Sequence, residues 1–258
     1  MAISLSSLQR GAVQKPPRIL VYGVSGIGKT TLATSALNPV VIQTEDGLGT
    51  IDVQSFPLAK SYTDVMDALA SLATEAHDLK TLVVDSLDWM EPLVWAHACT
   101  RNGWPNIEHP GYGKGYVEAL ILWREYIDAI NYLRDTVGMT VVQIAHTNIK
   151  RFDSPESEPY DRYEIKLHKT ANALVQEHSD VVLFANYRIA TTKADAGFNK
   201  KITRAIGSGE RVLYTQERPA FLAKNRYGMP ESMPMAWANV AAAIPYFQQS
   251  GDETATKE

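Results

Sequence analysis

Short apolar runs bounded by glycine, proline and acids alternate along the chain with segments whose apolar residues recur every three or four positions. That alternation predicts an α/β fold: a mostly parallel twisted sheet flanked by helices, with antiparallel strands toward the C-terminal end. The runs at Arg18–Gly23, 39–44, 81–85, 139–145 and 180–189 read as strands. The unbroken Leu82-Val83-Val84 run indicates burial on both faces. Residues 31–37 read as a helix stopped by Asn38-Pro39, and Ser61-Tyr-Thr-Asp64 opens another with Val65, Leu69 and Leu72 on one face. Residues 87–100 and 170–178 are further helices. A longer one carries Leu120, Trp123, Ile127, Ile130 and Leu133 up to a stop at Gly138. Between these lie a loop rich in glycine, proline and aromatics at 101–115, a polar exposed stretch at 149–169, a basic Gly/Lys loop, and a strand pair near 202–215. The division expected is an N-terminal arm over 1–16, one domain over 17–248, and a disordered acidic tail over 249–258.

The first strand passes into the first helix through Gly23, Val24, Ser25, Gly26, Ile27, Gly28, Lys29, Thr30 and Thr31, and the spacing Gly23-x4-Gly28-Lys29-Thr30 fits the P-loop template. Glycines there let main-chain N–H groups close around a β-phosphate, a lysine reaches the β/γ oxygens, and a hydroxyl ligates Mg²⁺. ATP with Mg²⁺ is the ligand this pattern implies. Asp85 ends a buried strand in the form of a Walker B segment and joins Thr30 as a candidate Mg²⁺ ligand; its competing role is to cap the next helix. Ser86 follows it where a catalytic base would stand, so an activator of water must come from elsewhere. Glu45 at the end of the second strand lies where parallel sheets bind ligands, though a solvated turn carboxylate reads the same way. His146, at the tip of the 139–145 strand, is either a sensor of the γ-phosphate or an ordinary strand-end histidine. His97 and Cys99 are two apart and diverge on a helix, which favours packing over zinc.

Charge sharpens the picture without changing it. The 258 residues carry a net charge of −4, which argues against indiscriminate polyanion binding. The window 188–226 nevertheless holds nine Lys/Arg against three Asp/Glu, a local excess able to meet phosphate. No apolar run approaches the ~20 residues of a membrane span, and the single Cys99 excludes an intrachain disulfide. A cytoplasmic protein without a membrane partner is expected.

The order of these motifs resembles the RecA-like P-loop ATPases, and within them the phage nucleotide-binding proteins thought to act as recombinases or single-strand annealing proteins. The resemblance covers roughly residues 17–230. It rests on the P-loop, on Gln-Thr-Glu45-Asp, on Val-Val-Asp85-Ser86, on Gln-Ile-Ala-His146 and on Ala-Lys224-Asn225-Arg226-Tyr-Gly. It implies that Glu45 orients the attacking water, and that His146 takes the place of a phosphate-sensing switch that is usually glutamine. It further implies that Lys224 and Arg226 reach the ATP of a neighbouring subunit, so that the chain self-associates as a ring or helical filament. The stretches 101–115 and 149–169 fall where the family has loops that bind single-stranded DNA. Within 101–115, Trp104 and Tyr112 are candidate base-stacking residues with Lys114 near a phosphate, although such aromatics also serve to pack a loop down. A hexameric helicase-type motor, a small-molecule kinase and a DNA-independent nucleotide-gated assembly protein remain the alternatives.

Overall fold

The structure, a computed structural model, describes Leu8 and residues 14–155, 158–195 and 201–249, without the side chains of 189–208 and 249. Most of the expected arm, the basic loop at 196–200 and all of the expected tail but Gln249 lie outside the described residues. Five strands form the parallel part of the sheet: β1 (Arg18–Gly23), β2 (Pro39–Gln43), β4 (Thr81–Asp85), β5 (Thr140–Phe152) and β7 (Val181–Asp195), with a short β3 (Gln54–Ser55) beside β2. The path across the sheet is β3-β2-β4-β5-β1-β7, and it continues antiparallel through β8 (Lys201–Tyr214) and β10 (Ser232–Pro234). Off this path β6 (Tyr160–Ile165) pairs with β5, and β9 (Lys224–Asn225) pairs with β7. One strand, β5, therefore separates the strand that leads into the glycine loop from the strand that ends in Asp85. The sheet is thus parallel in the middle and antiparallel at the C-terminal end.

Period-two alternation in the central strands supplies two cores. Leu20, Tyr22, Val40, Ile42, Leu82 and Val84 face α2 (Tyr62–Thr74), α3 (Leu87–Asn102) and α4 (Lys114–Tyr132), and meet Leu69, Met90 and Trp123. Ile19, Val21, Val41, Val83 and Val142 face the other way, toward Leu32 and Ala33 of α1 (Lys29–Thr34) and Val240 of α6 (Trp237–Ala243). The remaining helices are α5 (Lys169–His178) and α7 (Pro245–Gln249). At the start of α2 the Ser61 hydroxyl accepts from the Asp64 N–H at 3.1 Å while the Asp64 carboxylate accepts from the Ser61 N–H at 3.0 Å. These two bonds satisfy donors that the first turn leaves open.

Three expectations need correction. Residues 149–169 are not an irregular exposed stretch: β5 runs on to Phe152 and turns back through β6, so Thr147 to Phe152 pair with Ile165 to Tyr160. The mixed charges hide this because Arg162, only 5% exposed, fills an apolar position by laying its guanidinium over the Phe152 ring at 4.7 Å. The strand pair near 202–215 is one strand, β8, whose partner is β7. Helices α6 and α7, at 237–249, have no counterpart in the periodicity reading.

Gly23 is required by packing as well as by its loop. A Cβ there would stand 2.1 Å from the main-chain oxygen of Ala185 on β7. Gly23→Ala is expected to lower unfolding free energy by about 3 kcal/mol. Ala185→Gly in the same chain should fail to restore it, because the clash is with main chain. Urea unfolding checks this, and an unshifted midpoint in Gly23→Ala would contradict the contact.

Candidate functional site

Register brings the candidate side chains to one edge of the sheet. Gly23 pairs with His146, and Gln43 pairs with Asp85, so Glu45 and Asp85 follow or end adjacent strands at nearly the same height. The loop after β1 turns back through Gly26 and Gly28, at φ of 73° and 101°, conformations that side chains resist. Ser25, Gly26, Gly28, Lys29, Thr30 and Thr31 then line a cleft of about 250 Å³ together with Glu45, Asp85 and His146. Of the other loop residues, Ile27 turns its side chain into the core, and Gly23 and Val24 contribute carbonyls.

Those carbonyls hold Lys29. Its Nζ donates to Gly23 O at 3.2 Å and to Val24 O at 3.1 Å. Burial pushes the ammonium below its ordinary range, against the pull of Asp85, Asp88 and Glu45. The Thr30 hydroxyl donates to Asp85 Oδ2 at 2.7 Å. Burial raises the Asp85 carboxyl, while the Thr30 hydrogen bond and the Lys29 and His146 charges pull it down. A hydroxyl and a carboxylate oxygen this close, in a cleft lined with phosphate-sized glycine turns, are hard oxygen donors of the kind Mg²⁺ takes beside nucleotide oxygens. Among the described residues no group of three or more His, Cys, Asp and Glu could hold a metal without such help. His97 lies against the Tyr62 ring, with centroids 5.1 Å apart.

Thr44 locks the ends of β2 and β4 together: its hydroxyl donates to Ser86 O at 2.6 Å and accepts from the Ser86 N–H at 2.9 Å. The Ser86 hydroxyl in turn donates to Glu45 Oε2 at 3.3 Å. His146 Nδ1 lies 3.8 Å from the same Glu45 oxygen and 3.2 Å from both oxygens of Asp88, which also accepts the His146 main-chain N–H at 2.9 Å. Burial raises the Asp88 carboxyl, but these hydrogen bonds outweigh it and hold the group below its usual range. Asp88, in the first turn of α3 and three residues after the strand-end Asp85, was not singled out by sequence pattern. Gly47 and Ile51 complete the cleft wall. Arg211, one of the nine bases of the 188–226 window, touches the loop from β8, its Nη1 donating to Ile27 O at 3.4 Å.

Lys224 and Arg226 are not brought to this cleft. β9 pairs with the first residues of β7, level with Ile19 and Leu20, at the opposite edge of the sheet. Four strand residues separate that level from Gly23, on the order of 13 Å. Lys224 donates to Gln176 O at 3.0 Å and Glu177 O at 2.9 Å, at the C-terminal end of α5. Arg226 donates to Asp180 Oδ1 at 2.9 Å.

A family model described as an AAA domain matches residues 15–227. The chain belongs to the AAA domain family. Its P-loop is thus that of an ATPase family. This AAA domain chain is 28% identical over 195 residues to the SPbeta prophage-derived uncharacterized protein YorG of Bacillus subtilis (strain 168), covering 71% of the chain and 56% of that relative. It thus spans little more than half of the relative's length. Among solved structures, the crystal structure of the RadB recombinase is similar with a TM-score of 0.43 and 16% identity, over 81% of this chain and 86% of its own. Among the described residues no helix is long and apolar enough to cross a membrane.

Glu91, one turn beyond Asp88 on α3, ties the cleft to the segment between α3 and α4. It accepts the His168 N–H at 2.9 and 3.0 Å, and the His168 ring stacks on Tyr116 at 4.0 Å. The Tyr116 hydroxyl donates to Glu108 in that segment. Burial raises the Glu91 carboxyl from 4.5 to about 7. The folded chain then keeps a proton that the unfolded chain loses above its lower pKa. The stability this gives is full below about pH 4.5 and is lost as pH rises through 7. Between pH 5 and pH 8 the wild type should therefore lose roughly 2–3 kcal/mol more than Glu91→Gln, read by denaturant unfolding at each pH. Parallel pH profiles for the two proteins would contradict it.

Proposed function

We propose that the chain binds ATP with Mg²⁺ in the cleft, hydrolyses it, and couples turnover to single-stranded DNA during phage recombination or strand annealing. The observation that carries the nucleotide part is the convergence of Lys29, the Thr30–Asp85 pair, Glu45 and His146 on one cleft. Glu45 orients a water toward the γ-phosphate and takes its proton, held in place by the Ser86 hydroxyl. Lys29 and the loop N–H groups stabilise the charge that spreads over the phosphoryl oxygens. Mg²⁺, held by Thr30 and Asp85, would add its positive charge to that stabilisation. His146, whose Nδ1 is engaged by Asp88, turns its other ring nitrogen to the role of reading the γ-phosphate.

Lys224 and Arg226 lie at the opposite sheet edge, and on this reading they serve a neighbouring subunit's nucleotide. Such a head-to-tail contact is heterologous and builds a ring or an open helical filament. The segment from 103 to 113 and the β5–β6 hairpin, which carries Lys150 and Arg151, supply the DNA contacts on this reading. A DNA-independent nucleotide-gated assembly protein is the second reading, favoured by the net charge of −4.

Lys29→Ala should abolish nucleotide binding. Glu45→Gln should bind ATP normally and lose turnover by about 10²-fold or more. Lys224→Ala should lower turnover at high protein concentration and leave ATP binding by dilute protein unchanged. Steady-state ATPase rates with and without single-stranded DNA, across protein concentration and at two salt levels, separate the readings. Stimulation that is cooperative in protein and weakens with salt supports the DNA reading. A rate indifferent to DNA but rising with protein concentration selects the second one, and normal turnover by Glu45→Gln removes the catalytic assignment.

A further inference from the structure

A second hollow, of about 230 Å³, adjoins the phosphate cleft and shares Gly28 and Thr31 with it. Its far wall is built by Arg211 of β8 and by Met235 and Trp237 just after β10, and α1 closes it with Ser35. We propose that this hollow receives the base and ribose of the bound nucleotide, with Trp237 and Met235 against the base and Arg211 on the ribose and α-phosphate, and that it barely distinguishes adenine from guanine. The proposal rests on the nucleotide reading of the cleft and extends it.

Continuity is the first argument. A nucleotide whose β- and γ-phosphates lie beside Lys29 and Thr30 must leave the cleft past the junction of loop and helix. Gly28 and Thr31 are the residues common to both spaces. Arg211 stands at that junction: a Cβ on Gly28 would lie 2.8 Å from its Nη1. The second argument is charge. Arg211 is exposed, and among the described residues no carboxylate pairs with it; its one hydrogen bond, to Ile27 O, is 3.4 Å long. A planar guanidinium so placed, with donors to spare, suits phosphate and ribose oxygens.

Shape and chemistry of the wall are the third. Trp237 is half-buried and braced edge-on by Phe247, with centroids 5.7 Å apart and planes at 68°, which presents an aromatic surface at small entropic cost. The Met235 N–H donates to Arg211 O at 3.0 Å, so the thioether and the guanidinium are set by one main-chain bond. Stacking tolerates any base because every base has a π-face. Rejecting the wrong purine instead requires a polar group aimed at the base edge. The Ser35 hydroxyl donates its proton to Thr31 O at 2.7 Å and can only accept, which an amino group of adenine or of guanine satisfies alike. Arg211 is at the phosphate end.

Calorimetric titration of the full chain with Mg-ATP, Mg-GTP and Mg-tripolyphosphate tests this, in the wild type, Trp237→Ala, Trp237→Phe and Arg211→Ala. The wild type should bind ATP and GTP within about threefold of each other. Trp237→Ala should weaken both by about tenfold and leave tripolyphosphate unchanged, and Trp237→Phe should recover most of the loss. Arg211→Ala should weaken both nucleotides more than tripolyphosphate. Unaltered ATP affinity in Trp237→Ala overturns the hollow as the base site while leaving the cleft reading intact. So does an equal loss for tripolyphosphate. A wild-type preference between the two purines of about fiftyfold or more overturns the stacking account of specificity. A wild type that binds neither tripolyphosphate nor ATP overturns the cleft reading itself, and this proposal with it.

Discussion

The arrangement depends on a main-chain constraint: the strands that end at the cleft run parallel and in fixed register, so their C-terminal ends come level. β1 ends against His146 of β5, and β2 ends against Asp85 of β4. Asp85 ends its strand, Glu45 and the glycine loop follow theirs, and His146 lies within β5 at the level where β1 ends. Close approach of main chains is what keeps that register tight. The carbonyl of Ala185 occupies the space a Gly23 side chain would need, and the Thr44 hydroxyl bridges to both the N–H and the carbonyl of Ser86. Neither contact uses a hydrophobic group, yet both are possible only because two apolar layers bury the sheet on both faces.

Burial then sets the electrostatics. Lys29 and Asp85 are both withdrawn from water, and each is pushed toward its neutral form by that withdrawal and back by the charges of its neighbours. Two carbonyls and a hydroxyl are their close hydrogen-bonding partners. A cation whose bonds go to neutral main-chain groups retains its attraction for an anion, and a triphosphate is an anion of the right shape for glycine turns. Asp88 shows the other outcome. There the hydrogen bonds from His146 overcome desolvation, and the carboxylate is fixed as a positioning group for that histidine.

How much of this was legible in the sequence follows from how local each signal is. The loop, its lysine, Thr30 and Asp85 were readable because template spacing and an unbroken apolar strand are properties of consecutive residues. Glu45 was readable as a residue following a strand end, whereas His146, read as a strand tip, lies within β5, which runs on to Phe152; their meeting at 3.8 Å depends on sheet order, which periodicity does not encode. Arg211 was legible only as one of nine bases in the 188–226 window, because the antiparallel return of β8 is what lays this one against Gly28. The β5–β6 hairpin was missed for a different reason: a cation over an aromatic ring did the work of an apolar residue, so the pattern of two was masked by charge. Helices α6 and α7 are short, and most of their stability comes from the core they cover through Val240 and Ile244, so periodicity alone is weak there.

The cluster at the opposite edge bears on how an assembly would form. Asp180 is nearly buried and receives Arg18 through Nε at 3.1 Å and Nη2 at 2.9 Å, with Arg134 at 3.7 Å and Arg226 at 2.9 Å. Lys224 of β9 and Arg226 just after it are therefore not equally free to serve a neighbour. If Arg226, itself half-exposed, leaves Asp180, the carboxylate keeps its two-bond partner Arg18 and is never left unpaired. The loss is one ion pair to a carboxylate that keeps its other cations. If Lys224 leaves, two carbonyls at the end of α5 lose the side chain that satisfies them, and a helix end is uncapped. On the assembly reading, Arg226 is accordingly the cation that can swing to a neighbouring phosphate at small cost. Lys224 is the one whose departure must be offset by the nucleotide it reaches.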